Sequence, residues 1–497
     1  MVSHQLPKIL MSGLCVLASG RMFGLPSAAV AGEMREHYSE TASFQVSLHG
    51  ASPLKLRVVA TIPIEGDSLH MWDSYPAELP EMESKGWSAL ISDLSITDTA
   101  GEAIEALPVY PNRWTLSRNV RGRIRCSYEV DYSIFASQNW SSPLESAFAD
   151  SNWTMIVGSS VFITTPAVAD ATVEFRIPSG LEPIVPWTKE GSSRHRYKVT
   201  STESLLNNML VFAGTPADTF TVSGFRLQLV TTGHWQSIRA VVESALRRIV
   251  TREVEIMRFS GSEIYSVILL PLSDHGGNAF HQSFTYVYSD PDSTNCAQWS
   301  NTLAHEIFHY WNYGKLRGES YARSQWFQEG FTEHVANLVL ANTGISDSTA
   351  FLNKLSEHVA NYRKLTTTLE NPGTHKGKPL YSAGALVAFM WDVMIRNDSH
   401  EKSDIEEFFH NLVVQTKGGQ IPYSWTHLRA ALQATAGGDW EGFYQAHIRG
   451  AGPFPIERIL QLAGLKLIKS PDGEERIIFD PDASAQSRSL FQSLISG

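Results

Sequence analysis

The stretch His305-Glu306-Ile307-Phe308-His309 carries two imidazoles four residues apart, with a carboxylate directly after the first of them. Residues i and i+4 lie on the same face of an α-helix, so both imidazoles can reach one metal ion. Glu306 would then point at a water molecule on that ion. This H-E-x-x-H pattern is typical of zinc metallopeptidases, and it predicts a metal-binding helix with Glu306 as its catalytic base.

The residues around this stretch favour a helix. Leu303, Ile307 and Trp311 form an apolar side beside the two histidines, as expected of a helix that packs against a core. The run Asp292-Ser293-Thr294 offers candidate N-caps. Without a metal the two histidines would be a surface pair or ordinary core residues, so the metal assignment needs a further ligand elsewhere in the chain.

A second segment supplies that ligand. The run from Trp326 to Glu333 (WFQEGFTE) opens another apolar stretch, which predicts a second helix. Catalytic zinc takes three protein ligands and keeps one position open, and we expect Glu329 to be the third ligand. Glu333, one turn further on, is the expected hydrogen-bond acceptor for a ligand imidazole. The spacing also allows the reverse, with Glu333 as the ligand.

Three ordered motifs resemble one family. His305 to Asn312 (HEIFHYWN), Trp326 to His334 (WFQEGFTEH) and Leu380 to Val387 (LYSAGALV) are similar to the patterns HExxHxWN, WxxEGFT and YxKGALV of the glycyl-aminopeptidase family of zinc peptidases (gluzincins). The resemblance implies a zinc cofactor and a thermolysin-like catalytic domain. It also implies that Tyr381 donates a hydrogen bond to the oxyanion of the reaction, although an ordinary buried tyrosine is the alternative.

Two departures from that family bear on specificity. The family carries a glutamate that holds the free amino terminus of the substrate, but the corresponding run from Gly276 to Ser283 (GGNAFHQS) contains no acid. The lysine that usually follows the tyrosine by two positions is Ala383. We still expect Gly276, Gly277 and Asn278 to bind substrate. Glu319 and Asp274 are candidate replacements for the missing acid, and the family's usual PDZ domain is not expected in this chain.

Composition and charge limit the partners. The chain has 497 residues, is 43% hydrophobic and 18% charged, and carries a net charge of −11, so it predicts a folded globular protein. It contains no basic cluster of the kind that binds nucleic acid, which excludes a nucleic-acid partner. We expect a peptide or protein substrate instead. The sequence makes no prediction of the oligomeric state.

The amino end predicts a secretory signal. Lys8 precedes an apolar stretch from Ile9 to Ala18, and Ala29-Val30-Ala31 is an A-x-A cleavage site, so residues 1–31 are predicted to be a signal peptide. The alternative is a poorly folded amino end. No later run is long enough for a membrane span, so we expect a secreted or periplasmic protein.

The predicted fold class is α+β and multidomain. Alternating strands such as Ile124 to Tyr132 predict an N-terminal β-sandwich-like domain over residues 32–222. The thermolysin-like catalytic domain is predicted over 223–385 and a C-terminal α-helical domain over 386–497. A turn from Ser273 to Gly277 is expected before a strand from Phe280 to Tyr288, and the resemblance implies that this strand is the edge along which a peptide lies.

The sequence also suggests roles for several single histidines and cysteines. His281 lies on the predicted substrate strand, where it would either contact the peptide or be solvated, whereas His334 is expected to be structural. Cys126 has the alternating pattern of a core strand, and Cys296 lies near the start of the metal-binding helix. These two cysteines are expected in different domains, which disfavours a disulfide between them.

The function predicted from these residues is a zinc-dependent, aminopeptidase-like peptidase that uses zinc-activated water with Glu306 as the general base. One alternative is an endopeptidase of the same fold, because the amine-binding acid is missing. Another is a metallopeptidase-fold binding protein with weak catalysis, which the complete catalytic set disfavours. Hydrolysis of a non-peptide amide or ester would use the same site.

Overall fold

The computed structural model describes residues 40–51, 54–75, 79–136, 147–149, 153–259, 261, 263–272, 275–373, 377–471 and 473–496. The predicted signal segment 1–31 and Asp274 lie outside these described residues. Within them, no helix is both long and apolar enough to cross a membrane.

The amino-terminal half is built from strands, as its alternating pattern predicts. In chain order these are β1 (Glu40–Ala51), β2 (Leu54–His70), β3 (Ile91–Asp98), β4 (Ala106–Val109), β5 (Arg113–Asp131), β6 (Ala147–Ala149), β7 (Trp153–Val157), β8 (Val168–Arg176), β9 (Glu182–Ile184), β10 (Thr188–Lys189), β11 (Arg196–Val199) and β12 (Met209–Ala213). Short helices connect them, namely α1 (Pro80–Lys85), α2 (Ser133–Ala136), α3 (Thr202–Leu206) and the 3-10 turns Gly86–Leu90 and Gly158–Ser160.

These strands form two sheets around a shared core. Eight strands make one sheet in the order β10-β11-β8-β1-β2-β5-β3, with β4 paired to β5, and four make the other in the order β6-β7-β12-β9. Alternate residues such as Leu56, Val58 and Ala60 are buried, because successive side chains of a strand point to opposite faces. Val211 and Phe212 of the second sheet belong to the same buried cluster.

A third sheet contains the strand that is predicted to bind the peptide. Its members are β13 (Asp218–Val222), β14 (Phe225–Thr231), β15 (Ile264–Leu270), β16 (His275–Ala279) and β17 (Ser283–Tyr288). The order is β13-β14-β15-β17-β16, with β14, β15 and β17 parallel and β16 antiparallel to β17. Every residue of β15 is buried, since a parallel strand in the middle of a sheet is covered on both faces.

Two expectations about this region are wrong. The segment His275-Gly276-Gly277 is part of strand β16 and not of a turn, and the strand that starts at Ser283 lies inside the sheet. Among the described residues the edge strand on this side of the sheet is β16, which contains Gly276, Gly277 and Asn278, and β13 is the edge strand on the other side. Glycine has a low strand propensity, so the Gly-Gly pair resembles a turn until its pairing with β17 is known.

Helices make up most of the remaining chain. They are α4 (Arg239–Met257), α5 (Cys296–Phe308), α6 (Tyr321–Asn342), α7 (Ser348–Tyr362), α8 (Lys378–Asp398), α9 (Ile405–Gln415), α10 (Trp425–Thr435), α11 (Trp440–Phe443), α12 (Ile456–Leu462) and α13 (Ala485–Ser496). A 3-10 turn at Gly233–Gln236 precedes α4, a π-helical turn follows α11 at Tyr444–Ile448, and strands β18 (Leu465–Lys469) and β19 (Glu475–Phe479) form a hairpin.

A mixed α+β, multidomain architecture is thus confirmed. The predicted boundary after residue 222 falls in the β13–β14 hairpin, and the one after residue 385 falls inside α8. One buried cluster joins the third sheet to the helices from α4 to α13. The sequence shows where strand patterns give way to helix patterns, but it does not show which sheet or which buried core each element joins. Cys126 and Cys296 are both free thiols.

Candidate metal and substrate site

Helix α5 begins in a turn held by Asp292. The Oδ1 atom of Asp292 accepts hydrogen bonds from the backbone N–H groups of Thr294 and Asn295, and the helix starts at Cys296. Asp292 therefore holds the preceding turn and does not cap the helix, contrary to the expectation for this run. His309 follows the last helical residue with helical backbone angles, so the four-residue spacing from His305 is preserved.

Helix α6 carries the second motif and packs closely on α8. A Cβ atom added at Gly330 would lie 2.3 Å from the Cα atom of Gly384 on α8, and one at Gly384 would lie 2.0 Å from the carbonyl O of Trp326. No larger residue fits at either position without moving one helix. This close approach brings Tyr381 of α8 beside the first turns of α6.

Three buried donor atoms meet between α5 and α6. The Nε2 atoms of His305 and His309 are 3.1 Å apart, and Oε2 of Glu329 is 3.5 Å from each of them. Tetrahedral ligands at about 2.1 Å from a zinc ion are about 3.4 Å from one another, so these separations match a single zinc site. The structure thus brings together the three expected ligands.

The outer hydrogen bonds of the two imidazoles fix which nitrogen faces a metal. Nδ1 of His305 lies 3.0 Å from Oε2 of Glu333, and Nδ1 of His309 lies 3.2 Å from the carbonyl O of Asn312. Both oxygens accept hydrogen bonds, so each Nδ1 carries the proton and each Nε2 presents a lone pair. Oε2 of Glu329 has no hydrogen-bond partner among the described residues. Three lone pairs this close suit a cation between them, and two imidazoles with one carboxylate suit zinc.

Charged groups behind His305 hold Glu333 in place. Lys354 Nζ lies 3.1 Å from Oε1 of Glu333. Burial opposes ionisation of Glu333, but the charge of Lys354 together with the hydrogen bond and charge of His305 outweighs it, so the pKa of this carboxyl is well below its ordinary value. Burial lowers the pKa of His358 to about 4, which leaves this neighbour of Glu333 neutral. Glu333 therefore lies where an acceptor for the ligand imidazole was expected.

Glu306 is buried between the metal donors and the edge strand. A Cβ atom added at Gly277 would lie only 2.3 Å from Oε1 of Glu306, so the backbone of β16 contacts the carboxylate directly. Burial raises the pKa of Glu306 above its ordinary value, against the opposing charges of His305 and His309. A raised pKa suits a carboxylate that must take up a proton during a reaction at neutral pH.

Hydrogen bonds connect Glu329 to Tyr381. The phenol of Tyr321 donates to Oε1 of Glu329 over 3.4 Å. The amide of Gln325 donates to the phenolic oxygens of Tyr321 (3.4 Å) and of Tyr381 (3.3 Å). Tyr321 and Gln325 were not among the site residues predicted from the sequence. Their spacing was the available signal, because residues four and eight positions before Glu329 lie on the same helix face.

The loop after β16 is bound to the amino-terminal half of the chain. The N–H of His281 donates to the carbonyl O of Asn207 over 2.9 Å, and that of Gln282 donates to Oδ1 of Asn208 over 2.7 Å. His281 is thus in a loop and mostly buried, with Nδ1 3.7 Å from Oε1 of Glu203. Its expected strand position is wrong, and of the two alternatives left by the sequence solvation is wrong, because neighbours distant in sequence cover the side chain. His334 is buried 3.6 Å from Asp392.

A buried glutamate behind the site has a testable effect on stability. Glu253 of α4 is fully buried, and neither carboxylate oxygen has a hydrogen-bond partner among the described residues. Burial raises its pKa well above the ordinary value, while the charge of His305 opposes the shift. Because the folded-state pKa is raised, this group destabilises the fold increasingly as the pH rises above its unfolded pKa of about 4.3.

We expect Glu253→Met to increase the free energy of unfolding at pH 7.5 by about 1 kcal/mol or more, with a smaller gain at pH 4.5. Urea unfolding of the zinc-loaded protein at both pH values measures this difference. Glu255→Met, an exposed glutamate on the same helix, is the matched control and should change stability little. A loss of stability in Glu253→Met at pH 7.5 would show that the carboxylate is stabilising.

The comparisons with known proteins agree with this site. Residues 298–411, which include His305, Glu306, His309, Glu329 and Tyr381, match the family model described as M61 glycyl aminopeptidase. The chain is a zinc metallopeptidase. Its resemblance to the glycyl aminopeptidases is confirmed over this segment, and so is the expected zinc cofactor. No curated protein matches the chain in sequence.

Solved structures share the fold of this metallopeptidase. An aminopeptidase N family protein from Idiomarina loihiensis matches with a TM-score of 0.73 at 17% identity, over 86% of this chain and 79% of that one. An M1 zinc metallopeptidase from Deinococcus radiodurans matches with a TM-score of 0.52 at 16% identity, over 84% and 95%. A mutant of the Deinococcus protein, bound to a Tyr-Ser-Ala substrate, matches at 0.51 and 16%, over 84% and 95%.

Proposed function

We propose that this zinc metallopeptidase removes residues from the amino end of peptides, with Glu306 as the general base. One observation carries the proposal, namely the convergence of His305, His309 and Glu329 on a single ion position beside a Glu306 that contacts edge strand β16. Metal, base and peptide-binding strand are the three parts that hydrolysis of an extended peptide requires.

Each catalytic residue has a separate task in this proposal. His305, His309 and Glu329 would hold a zinc ion, which would supply Lewis acidity for a substrate carbonyl and for water. Glu306 takes the proton from the attacking water and passes it to the leaving amine, which its raised pKa favours. Tyr381, positioned through Gln325, donates to the developing oxyanion.

The substrate lies along β16 in this proposal. The outer edge of an edge strand offers backbone N–H and C=O groups that hold an extended peptide without reading its sequence. The glycine at 277 lets the strand approach Glu306 closely. Gly276, Gly277 and Asn278 thus become backbone partners of the peptide, next to the base.

The fixed loop after β16 supports action at a chain end. His281 and Gln282 are hydrogen-bonded to Asn207 and Asn208 of the amino-terminal half. We infer that this half of the chain closes the end of strand β16 beyond Ala279. A boundary of this kind favours an exopeptidase over an endopeptidase, for which a long peptide must pass both ends of the strand. The bound tripeptide of the Deinococcus relative agrees with short peptides as the substrate class.

We propose a thermolysin-like catalytic domain between a β-sandwich-like domain and a helical domain, with the predicted bounds at residues 222 and 385 moved so that β13 and all of α8 belong to the catalytic domain. We also propose a secreted or periplasmic location after removal of residues 1–31, on the evidence of the apolar stretch and the Ala29-Val30-Ala31 site.

A mixed peptide library with mass-spectrometric readout tests the activity. We expect the zinc-loaded protein to shorten peptides stepwise from the amino end, and peptides with an acetylated amino end to resist. Removal of zinc by a chelator should abolish cleavage, and added zinc should restore it. Internal cuts would support the endopeptidase instead. If the zinc-loaded protein cuts no peptide, the result would support a metallopeptidase-fold binding protein, or an enzyme that hydrolyses a non-peptide amide or ester.

A further inference from the structure

The first turn of helix α8, which carries Tyr381, has a glycine in its cap position. The helix begins at Lys378, and the preceding Gly377 has no side chain that could accept hydrogen bonds from the free N–H groups of the turn. Helix ends fray unless other contacts hold them. Tyr381 is the fourth residue of α8, so the position of its phenol depends on the side chains that hold this turn.

Ser382 joins this turn to helix α7. Its Oγ atom lies 3.2 Å from Nδ1 of His358 and accepts a hydrogen bond from Nδ2 of Asn361 over 3.4 Å. All three residues are at most 8% exposed, so water does not compete for these bonds. Successive residues of a helix point about 100° apart, which lets Ser382 face α7 while Tyr381 contacts Gln325 of α6.

The other ring nitrogen of His358 is bonded toward the metal-binding helices. Its Nε2 lies 3.4 Å from Nδ2 of Asn337 on α6, and Nδ2 of Asn301 on α5 donates to Oδ1 of Asn337 over 3.0 Å. An amide N–H donates, so Nε2 accepts, and Nδ1 carries the proton that is donated to Ser382. Burial keeps the ring in this neutral form, because it lowers the pKa of His358 to about 4. One buried network thus joins α5, α6, α7 and α8.

We propose that His358 is a positioning residue, which holds the first turn of α8 through Ser382 so that the phenol of Tyr381 can donate to the oxyanion. This inference rests on the proposed peptidase function. The network joins α8 to the helices of the metal ligands, so it fixes the phenol relative to the metal site. A donor stabilises an oxyanion only at a hydrogen-bond distance of about 3 Å, and the network therefore affects catalysis as well as stability.

The peptide that wild type cleaves fastest in the library is the probe, with kcat and KM measured separately at matched zinc content. Ser382→Ala and His358→Leu should each lower kcat about 10-fold, which is part of the roughly 100-fold or more that an oxyanion donor contributes, and change KM little. His358→Asn should keep most of kcat, because its amide nitrogen takes the place of Nδ1. In Tyr381→Phe, which has no phenolic proton to position, Ser382→Ala should lower kcat no further.

Ser356→Ala is the matched control. Ser356 lies on α7, and its Oγ accepts a hydrogen bond from the N–H of Ile477 on β19 over 2.9 Å. The control removes one hydrogen-bonded hydroxyl group, as Ser382→Ala does, so it should lower Tm similarly but keep the wild-type kcat. Ser382→Ala decides the question if His358→Leu does not fold.

The proposal is overturned if Ser382→Ala keeps the wild-type kcat, or if it lowers kcat as strongly in Tyr381→Phe as in wild type, because the loss then does not act through the phenol. A wild-type kcat in Tyr381→Phe would overturn it too, and the peptidase function would stand. A wild type that cleaves no peptide refutes the peptidase function itself, and this inference with it.

Discussion

Replacing Glu306 with glutamine is expected to lower kcat by about 1,000-fold or more, while KM and zinc content change little. Glutamine has nearly the same shape, so it keeps the contact with Gly277, but it cannot take up a proton. The three metal donors are untouched by the change. Hydrolysis rates at matched zinc content, with zinc measured by elemental analysis, give the comparison.

Two further variants make this result specific to the base. Glu329→Gln should lose both activity and zinc, because it weakens a ligand, and this combination distinguishes a metal defect from a proton-transfer defect. Glu319→Gln should keep zinc and kcat, and a raised KM in this variant would identify Glu319 as the replacement for the missing amine-binding acid. Zinc-loaded Glu306→Gln with near wild-type kcat would show that another group serves as the base.

Adding a single methyl group at Gly277 is expected to have the second-largest effect. The Cβ atom of Gly277→Ala would lie 2.3 Å from Oε1 and 2.6 Å from Cδ of Glu306. Glu306 or strand β16 must therefore move, and a displacement of about 1 Å at a reacting group costs about 100-fold in rate. We expect kcat/KM to fall by about this factor, with zinc still bound because the ligands lie on α5 and α6.

The double variant Gly277→Ala/Glu306→Asp tests the steric cause. The shorter aspartate makes room for the methyl group, so the two changes should cost less together than the product of their separate effects. Gly437→Ala is the control, since a Cβ atom there meets nothing within 4 Å. Wild-type activity in Gly277→Ala would mean that β16 moves away from Glu306 without consequence.

Of the features that were not predicted from the sequence, the position of Tyr321 could have been inferred from it, whereas the identity of the edge strand could not. Tyr321 lies on the face of α6 that carries Glu329, so helical spacing alone could have indicated it. The pairing of His275–Ala279 with Ser283–Tyr288 involves a Gly-Gly segment with no strand pattern, and only that pairing shows which strand is the edge. The same applies to His281, whose partners Asn207 and Glu203 are far away in sequence.

The sequence by itself determined the parts of the site that lie within single helices. Four-residue spacing on α5 and the single turn between Glu329 and Glu333 on α6 fix which side chains share a face, because the helical repeat is the same in every protein. Tertiary structure decided what faces the metal donors, namely the approach of Gly277 to Glu306 and the contact between Gly330 and Gly384 that brings Tyr381 near. These contacts join elements whose packing depends on the whole core, which no local pattern encodes.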